Sequence, residues 1–356
     1  MRVGFFTEVY RPVVNGIVAS VDALAEGLRA QGHDVYCFAP SSPGYVESDG
    51  PVFRMPSLPL PTSAPYRLTI PLVSRRNRLG IIKKLDIIHA HSPFVTGWMG
   101  LRYARRYGIP FVYTYHTRLE EYAHYLPFDV KLTRYAATRL TRNFANAADA
   151  VIVPTPAMRE RLLALRVVRH VEVVASGIDL RLFGGGVRRE DLRRDLGITS
   201  GDRMILFVSR LAREKNVDVL FDAVARCGDP TVRLVLAGDG PDRSAFEERV
   251  RDLGIAGQVR FAGGVERRHL PDLYASADAF VFPSVSETQG LVLAEALAAG
   301  ALVIAADAPG NREVLSGAGK VVRADAGAFA AALTAIPPQP DPAVARRARQ
   351  ASERFG

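Results

Sequence analysis

The chain has 356 residues, 48% hydrophobic and 23% charged, which is the balance of folded globular domains and excludes wholesale disorder. Its 30 Gly and 23 Pro follow no short period, excluding collagen-like or linker sequence, and no apolar run approaches the roughly 18 residues of a membrane-spanning helix. The net charge of +9 sits almost wholly in the first half: residues 1–180 hold 22 Lys and Arg against 14 Asp and Glu, residues 181–356 hold 24 against 23. The opening Val3-Gly4-Phe5-Phe6 is too short for the apolar core of a signal peptide. Cys37 and Cys227 lie far apart in or beside apolar segments and read as buried free thiols, which suits a reducing cytosol.

In chain order, apolar runs predict strands at 2–6, 34–39, 86–90, 111–115, 150–153 and 171–174, with helical patterns between them at 18–30 and 96–107. A second set follows, with strands at 203–208, 233–237, 279–282 and 301–305 and helices at 215–226, 242–253, 268–275 and 290–299. Strands alternating with helices are the signature of parallel α/β layers. Between the sets, Gly184-Gly185-Gly186 and a mixed-charge run suit a mobile linker with a short helix. The expected architecture is two Rossmann-like α/β domains, 1–180 and 202–356, joined by a linker at 181–201 and facing each other across a cleft. Open parallel sheets bind ligands beyond the C-terminal ends of their strands.

Three loops at such strand ends carry chemistry. The first, Thr7 to Gly16, feeds a helix through Asn15-Gly16. It suits either an anion held by backbone N–H groups or a plain Asn-Gly turn. It is not a GxGxxG dinucleotide fingerprint. The second, Ser209-Arg210-Leu211-Ala212-Arg213-Glu214-Lys215, puts two cations beside a helix start; they read as a pyrophosphate clamp or as solvated loop charge. In the third, Glu287 and Glu295 bracket a strand-to-helix turn at Gly290, whose amides and those of Leu291 and Val292 head the helix. Glu295 lies among Leu293, Ala294, Ala296 and Leu297, where a carboxylate without a partner is costly. His89-x-His91 lacks a third ligand nearby and reads as structural, not as a metal pair.

The run from Glu287 to Glu295 resembles the Glu-x7-Glu motif of the family-4 retaining glycosyltransferases, which have the two-Rossmann GT-B architecture. Asn15-Gly16, Ser176-Gly177-Ile178-Asp179, Ser209 to Lys215 and Gly263-Gly264-Val265 agree with that resemblance, with Ser176 standing where the family has Asn. The resemblance implies that Arg210 and Lys215 neutralise a diphosphate leaving group, that Asn15, Gly16 and the amides after Gly290 hold its oxygens, and that Val265 lies near the base. It implies further that Glu295 binds the ribose hydroxyls, Glu287 the donor sugar, and His116 the sugar from the first domain. Metal and cofactor are not expected. The resemblance implies retention of the anomeric configuration by a front-face path, with Glu8 the one acid left open as a nucleophile. Relatives continue beyond a point such as Gly356 through a helix that crosses back to the first domain.

Thr114 to Tyr125, with its His-Thr-x-x-Glu-x-Tyr-x-His-Tyr character, and Glu287-Thr288-Gln289-Gly290 resemble the branch that glucosylates diacylglycerol. Independently, Tyr66, Arg67, Arg75, Arg76 and Arg78 stand in an acid-free stretch mixing apolar and basic residues. Such a surface suits peripheral docking on an anionic bilayer at the inner face of the cell membrane, and Lys131, Arg134, Arg139 and Arg142 extend it. UDP-glucose transfer to a lipid such as diacylglycerol is the favoured reading. GDP-mannose transfer to phosphatidylinositol or a glycolipid, and transfer to a soluble acceptor, stay open. A sugar-nucleotide epimerase shares the fold. A nucleic-acid partner would also explain the charge, but the basic stretch has no aromatic platform.

Overall fold

The structure is a computed structural model, and it describes residues 1–47, 50–60, 66–71, 76–125, 128–337 and 341–356. The chain divides into two compact units, Met1–Gly177 and Ile178–Gly356.

The first unit is built on strands β1 (Arg2–Phe6), β2 (Asp34–Pro40), β3 (Val52–Met55), β4 (Ser57–Pro59), β5 (Arg67–Thr69), β6 (Ile87–Ala90), β7 (Phe111–Thr114), β8 (Ala150–Val153) and β9 (His170–Val173). Seven form a wholly parallel sheet in the order β3-β2-β1-β6-β7-β8-β9, and β4 and β5 make an antiparallel pair. Helices α1 (Gly16–Ala30), α2 (Arg76–Ile82), α3 (Val95–Tyr107), α4 (Val130–Ala147) and α5 (Pro156–Ala164) connect them, with a 3₁₀ segment at Leu119–Tyr125. Short apolar strands such as Ala150-Val151-Ile152-Val153, with Val151 and Val153 fully buried, are what a sheet covered on both faces requires.

The second unit has β10 (Arg203–Val208), β11 (Val232–Ala237), β12 (Val259–Gly263), β13 (Ala279–Phe282), β14 (Val303–Ala306) and β15 (Lys320–Val322). They pair in parallel in the order β12-β11-β10-β13-β14-β15. Around them lie α6 (Leu180–Gly184), α7 (Glu190–Asp195), α8 (Asp218–Cys227), α9 (Arg243–Asp252), α10 (Leu270–Ser276), α11 (Leu291–Ala298), α12 (Pro309–Leu315), α13 (Ala326–Thr334) and α14 (Pro342–Ser352). The central strands are closed to solvent: Met204 to Phe207 and Ala279 to Val281 are all 0% exposed.

Both sheets reverse their order at the first strand, between β1 and β6 and between β10 and β13. At such a switch point the loops leave two neighbouring strands in opposite directions and open a crevice.

Several sequence expectations are corrected here. The helix expected from 215 begins at Asp218, because Asn216 takes a left-handed conformation (φ 58°) after a single 3₁₀ turn at Arg213–Lys215. Strands β3, β12 and β15 were not expected; Val259-Arg260-Phe261 and Lys320-Val321-Val322 are short and carry charge, so their apolar signal is weak. The segment 181–201, expected as a mobile linker, is instead fastened to the second unit. Arg193 of α7, 2% exposed, donates to the Ser276 carbonyl at 2.8 Å, the Asp202 carbonyl at 2.9 Å and the Asp278 carboxylate at 3.1 Å. A buried guanidinium bonded this way through both terminal nitrogens fixes its helix in place. Cys37 is buried and Cys227 half-buried, and both are free thiols.

Candidate functional site

In the second unit the switch point brings together two of the loops singled out above. β10 ends at Val208 and leads into Arg210 and Lys215; its neighbour β13 ends at Phe282 and leads into Glu287 and Gly290. Lys215 Nζ lies 2.6 Å from Glu287 Oε1, with both side chains largely shielded, and the Ser284 hydroxyl donates to the same oxygen at 2.9 Å. Arg210 forms an ion pair with Glu214, whose side chain is 3% exposed. Both expected phosphate cations are thus balanced by carboxylates, Arg210 by one of its own loop and Lys215 by one of the neighbouring loop. An incoming anion has to compete with these pairs, and a preformed ion pair of this kind holds its long side chains in place before the anion arrives.

The loop 283–290 is itself rigidly held. Asn311, fully buried, donates from Nδ2 to the Ser284 carbonyl at 2.9 Å and the Ala306 carbonyl at 2.8 Å. Ser286 donates to the Glu214 carbonyl at 3.0 Å, and Asn216 to the Pro283 carbonyl at 3.3 Å. Gly290 is the N-cap of α11 with φ of 80°, a conformation side-chain-bearing residues adopt only with strain. A Cβ there would also sit 3.2 Å from Leu293 Cδ1. The Leu293 amide is engaged by the Gly290 carbonyl at 2.9 Å, so Leu291 and Val292 head the helix at the positive end of its dipole.

Glu295 lies in the second turn of α11, 4% exposed. Its Oε2 accepts from the Tyr274 hydroxyl at 3.2 Å, and its Oε1 is 3.5 Å from Arg267 Nη1. Burial raises its pKa, and Arg267 and Tyr274 oppose that shift. The partner that an apolar setting demands is therefore supplied from α10 and from the turn before it. Val265, half-buried on the core, follows Gly263, whose carbonyl accepts from the Gly238 amide at 2.7 Å.

Sequence reasoning missed Gly238-Asp239-Gly240-Pro241, the loop after β11. A Cβ on Gly240 would stand 2.2 Å from the Leu211 carbonyl oxygen, so only glycine lets this backbone lie against the Arg210 loop. Leu211 and Asp239 are joined at 3.0 Å, and Arg213 donates its amide to Asp242 at 2.9 Å. Two glycines directly after an apolar strand were the available signal.

In the first unit, Asn15 spends its side-chain oxygen on the cap of α1, accepting from the Val18 amide at 2.9 Å, and Gly16 is exposed at the helix start. Glu8, left open as a nucleophile, is 6% exposed with both oxygens engaged: Oε1 by the Thr69 amide at 2.6 Å and Oε2 by the Thr96 amide at 2.8 Å. It ties the loop after β1 to the end of β5 and the start of α3, a structural task. His116, just past β7, is half-buried and lies 3.0 Å from His91 across Nε2 and Nδ1. Burial lowers its pKa to about 4 and that of His89 to about 3, so both are neutral at pH 7.

Of the expected basic surface, Arg67 is committed to the β4–β5 pair, donating to the Ser57 hydroxyl at 2.8 Å and the Ser57 carbonyl at 2.9 Å. Tyr66 is half-buried, and its carbonyl accepts from the Leu60 amide at 3.1 Å. Arg75 lies outside the described residues, as do the side chains of Arg76 and Arg78 in α2. Among the described residues no group of three or more His, Cys, Asp or Glu is placed to hold a metal ion, and no helix is long and apolar enough to cross a membrane.

Comparison with known proteins identifies this arrangement. The model for Glycosyltransferase Family 4 matches residues 14–182 and that for Glycosyl transferases group 1 matches residues 188–351. An alpha-monoglucosyldiacylglycerol synthase of Streptococcus pneumoniae is 33% identical over 89% of this chain and 73% of its own. A GDP-mannose-dependent alpha-mannosyltransferase of Mycobacterium tuberculosis is 34% identical over 89% of this chain and 82% of its own. Among solved structures, the Anabaena protein HepE in complex with UDP-glucose superposes with a TM-score of 0.77 at 23% identity, covering 100% of this chain and 95% of that one. The two family models together span most of the chain, and both relatives exceed 30% identity over 89% of it: the chain is a glycosyltransferase and belongs to glycosyltransferase family 4.

Proposed function

We propose that the protein transfers a hexosyl group, with retention of configuration, from a nucleoside-diphosphate sugar to a membrane lipid such as diacylglycerol. The observation that carries the donor half is the meeting of Arg210, Lys215, Glu287 and the head of α11 at the β10–β13 switch point. Two cations and a helix amino end are what a departing diphosphate needs, because its negative charge grows as the glycosidic bond breaks. In this reading Arg210, Lys215 and the Leu291 and Val292 amides take the diphosphate, with no metal required. Glu295 takes the ribose hydroxyls, Val265 borders the base, and Glu287 takes the sugar once the diphosphate draws Lys215 away. The roles of Asn15, Gly16 and His116 toward the donor rest on the family resemblance.

The lipid half is supported by the glucosyldiacylglycerol synthase relative and by the surface of α4. Leu132 and Tyr135, exposed by 65% and 61%, stand at helical spacing beside Lys131, Arg134 and Arg139, all exposed, and Phe128, exposed by 69%, lies just before the helix. Apolar side chains ringed by cations suit insertion between anionic headgroups. Such docking makes the protein peripheral at the inner face of the cell membrane. GDP-mannose transfer to phosphatidylinositol or a glycolipid is the second reading, favoured by the mannosyltransferase relative. The test incubates vesicles of diacylglycerol, phosphatidylinositol and phosphatidylglycerol with UDP-glucose or GDP-mannose in chelator and measures product mass and anomeric coupling. An α-glucosyl lipid is expected from UDP-glucose alone; a mannosyl product selects the second reading, and a β-linked product or a chelator-abolished reaction refutes the mechanism.

A further inference from the structure

His91 has no part in the function proposed above, yet it is placed with unusual care. It follows β6, is 2% exposed, and donates its amide to the Phe6 carbonyl at 2.8 Å. Its ring stacks on His89 at 4.2 Å and 28°, lies near-parallel to His116 at 5.3 Å and 26°, and receives Phe5 edge-on at 4.7 Å. His91 Nδ1 is 3.0 Å from His116 Nε2, while His91 Nε2 is buried without a hydrogen-bond partner.

We infer that His91 is a positioning residue that holds His116 in its Nδ1–H tautomer, with His116 Nε2 taken up by His91. A neutral imidazole carries one N–H, and the bond made at one ring nitrogen decides which form is present. Burial keeps both rings neutral, so a single hydrogen lies between them. If His116 donated it from Nε2, His91 would carry its own proton on the orphaned Nε2, leaving a buried N–H with no acceptor. If His91 donates from Nδ1, its Nε2 is left with a bare lone pair. Buried donors without acceptors are rarer than under-used acceptors, and the second arrangement follows. His116 then has its proton on Nδ1 and its Nε2 occupied. Its Nε2 is then closed to a proton from any ligand. What this means for the donor sugar rests on the proposed role of His116 toward it; the tautomer itself does not.

The test is two-bond ¹H–¹⁵N correlation on the full chain labelled at histidine, with His116→Gln used to assign its signals among the seven histidines. The Nδ1–H pattern is expected for His116 in the parent and in His89→Phe, which leaves the His91–His116 bond in place. His91→Phe should turn His116 to the Nε2–H form that imidazole prefers in water. Turnover should then fall about tenfold, as when orienting partners of other histidines are removed, with donor KM changed less than twofold. An Nε2–H pattern in the parent, or Nδ1–H retained in His91→Phe, overturns the inference. If His91→Phe does not fold, the parent spectrum still tests the tautomer, because an Nε2–H pattern there overturns the inference. A tautomer that switches while turnover is unchanged supports the positioning by His91 and refutes the role of His116 toward the sugar.

Discussion

Glu295→Gln separates binding from stability at the centre of the candidate donor site. In the parent, the carboxylate is 4% exposed and holds the hydroxyl of Tyr274, itself 0% exposed. Glutamine keeps a carbonyl oxygen for that hydroxyl and removes the cost of burying a charge, a cost visible in the raised pKa of Glu295. It gives up the attraction to Arg267 at 3.5 Å, a contact too long for a strong hydrogen bond. The fold should therefore stay within ~1 kcal/mol of the parent, whereas Glu295→Ala strands the Tyr274 hydroxyl and should cost about 1–3 kcal/mol. Toward a ribose the order changes. Charge-assisted bonds to two hydroxyls become neutral ones, a loss of roughly 1.5–3 kcal/mol, or about 10- to 150-fold in Kd. Urea denaturation of both variants and calorimetric titration with UDP and GDP measure the two effects side by side. Unchanged nucleotide affinity in Glu295→Gln would refute the ribose assignment and leave Glu295 as a core carboxylate serving Tyr274 and Arg267.

Arg210→Ala should lower kcat by about 10²–10³ while donor KM rises far less, since the diphosphate charge it meets develops in the transition state; Arg210→Lys should recover part, and a KM effect with kcat preserved would move that role to Lys215 and the α11 amides. Stability should fall in acid: unfolded histidines titrate near ~6.5, while His89 and His116 titrate at about 3 and about 4. As pH drops below ~6.5 the unfolded chain takes up these protons first, so the loss runs from there down to about 4 for His116 and about 3 for His89, at up to ~1.4 kcal/mol per pH unit for each histidine. His89→Phe should flatten the urea midpoint against pH by one such histidine, and an unaltered slope would contradict its burial as a neutral ring. Arg193→Met should destabilise the second unit by about 3–5 kcal/mol, because Asp278 loses a buried partner; a change under ~1 kcal/mol in its denaturation would mean that 181–201 is loosely attached after all. Leu132→Asp with Tyr135→Asp should weaken co-sedimentation with phosphatidylglycerol vesicles at least tenfold, each buried apolar side chain contributing roughly 1.5–3 kcal/mol, while donor hydrolysis is spared; unchanged partition would move docking away from α4.

Local features were legible in the amino-acid sequence because they depend on near neighbours along the chain. Apolar runs bounded by turn residues marked most of the strands that form the two sheets, and Gly290 after Glu287 marked the head of α11 within one residue. The same local pattern put Arg210, Lys215 and Glu287 in loops at strand ends. What those residues touch was decided elsewhere. Lys215 meets Glu287, 72 positions away, only because β10 and β13 are neighbours across two intervening strands, an order no local signal encodes. The same holds for Tyr274 beneath Glu295, for Arg193 drawn into the core by Ser276 and Asp278, and for Glu8, whose carboxylate is consumed by the amides of Thr69 and Thr96. His91 and His116 stand 25 positions apart in sequence and 3.0 Å apart in space. A charged or titratable side chain in this protein takes its role from the partner that desolvation compels it to find, and that partner is chosen by strand order and packing.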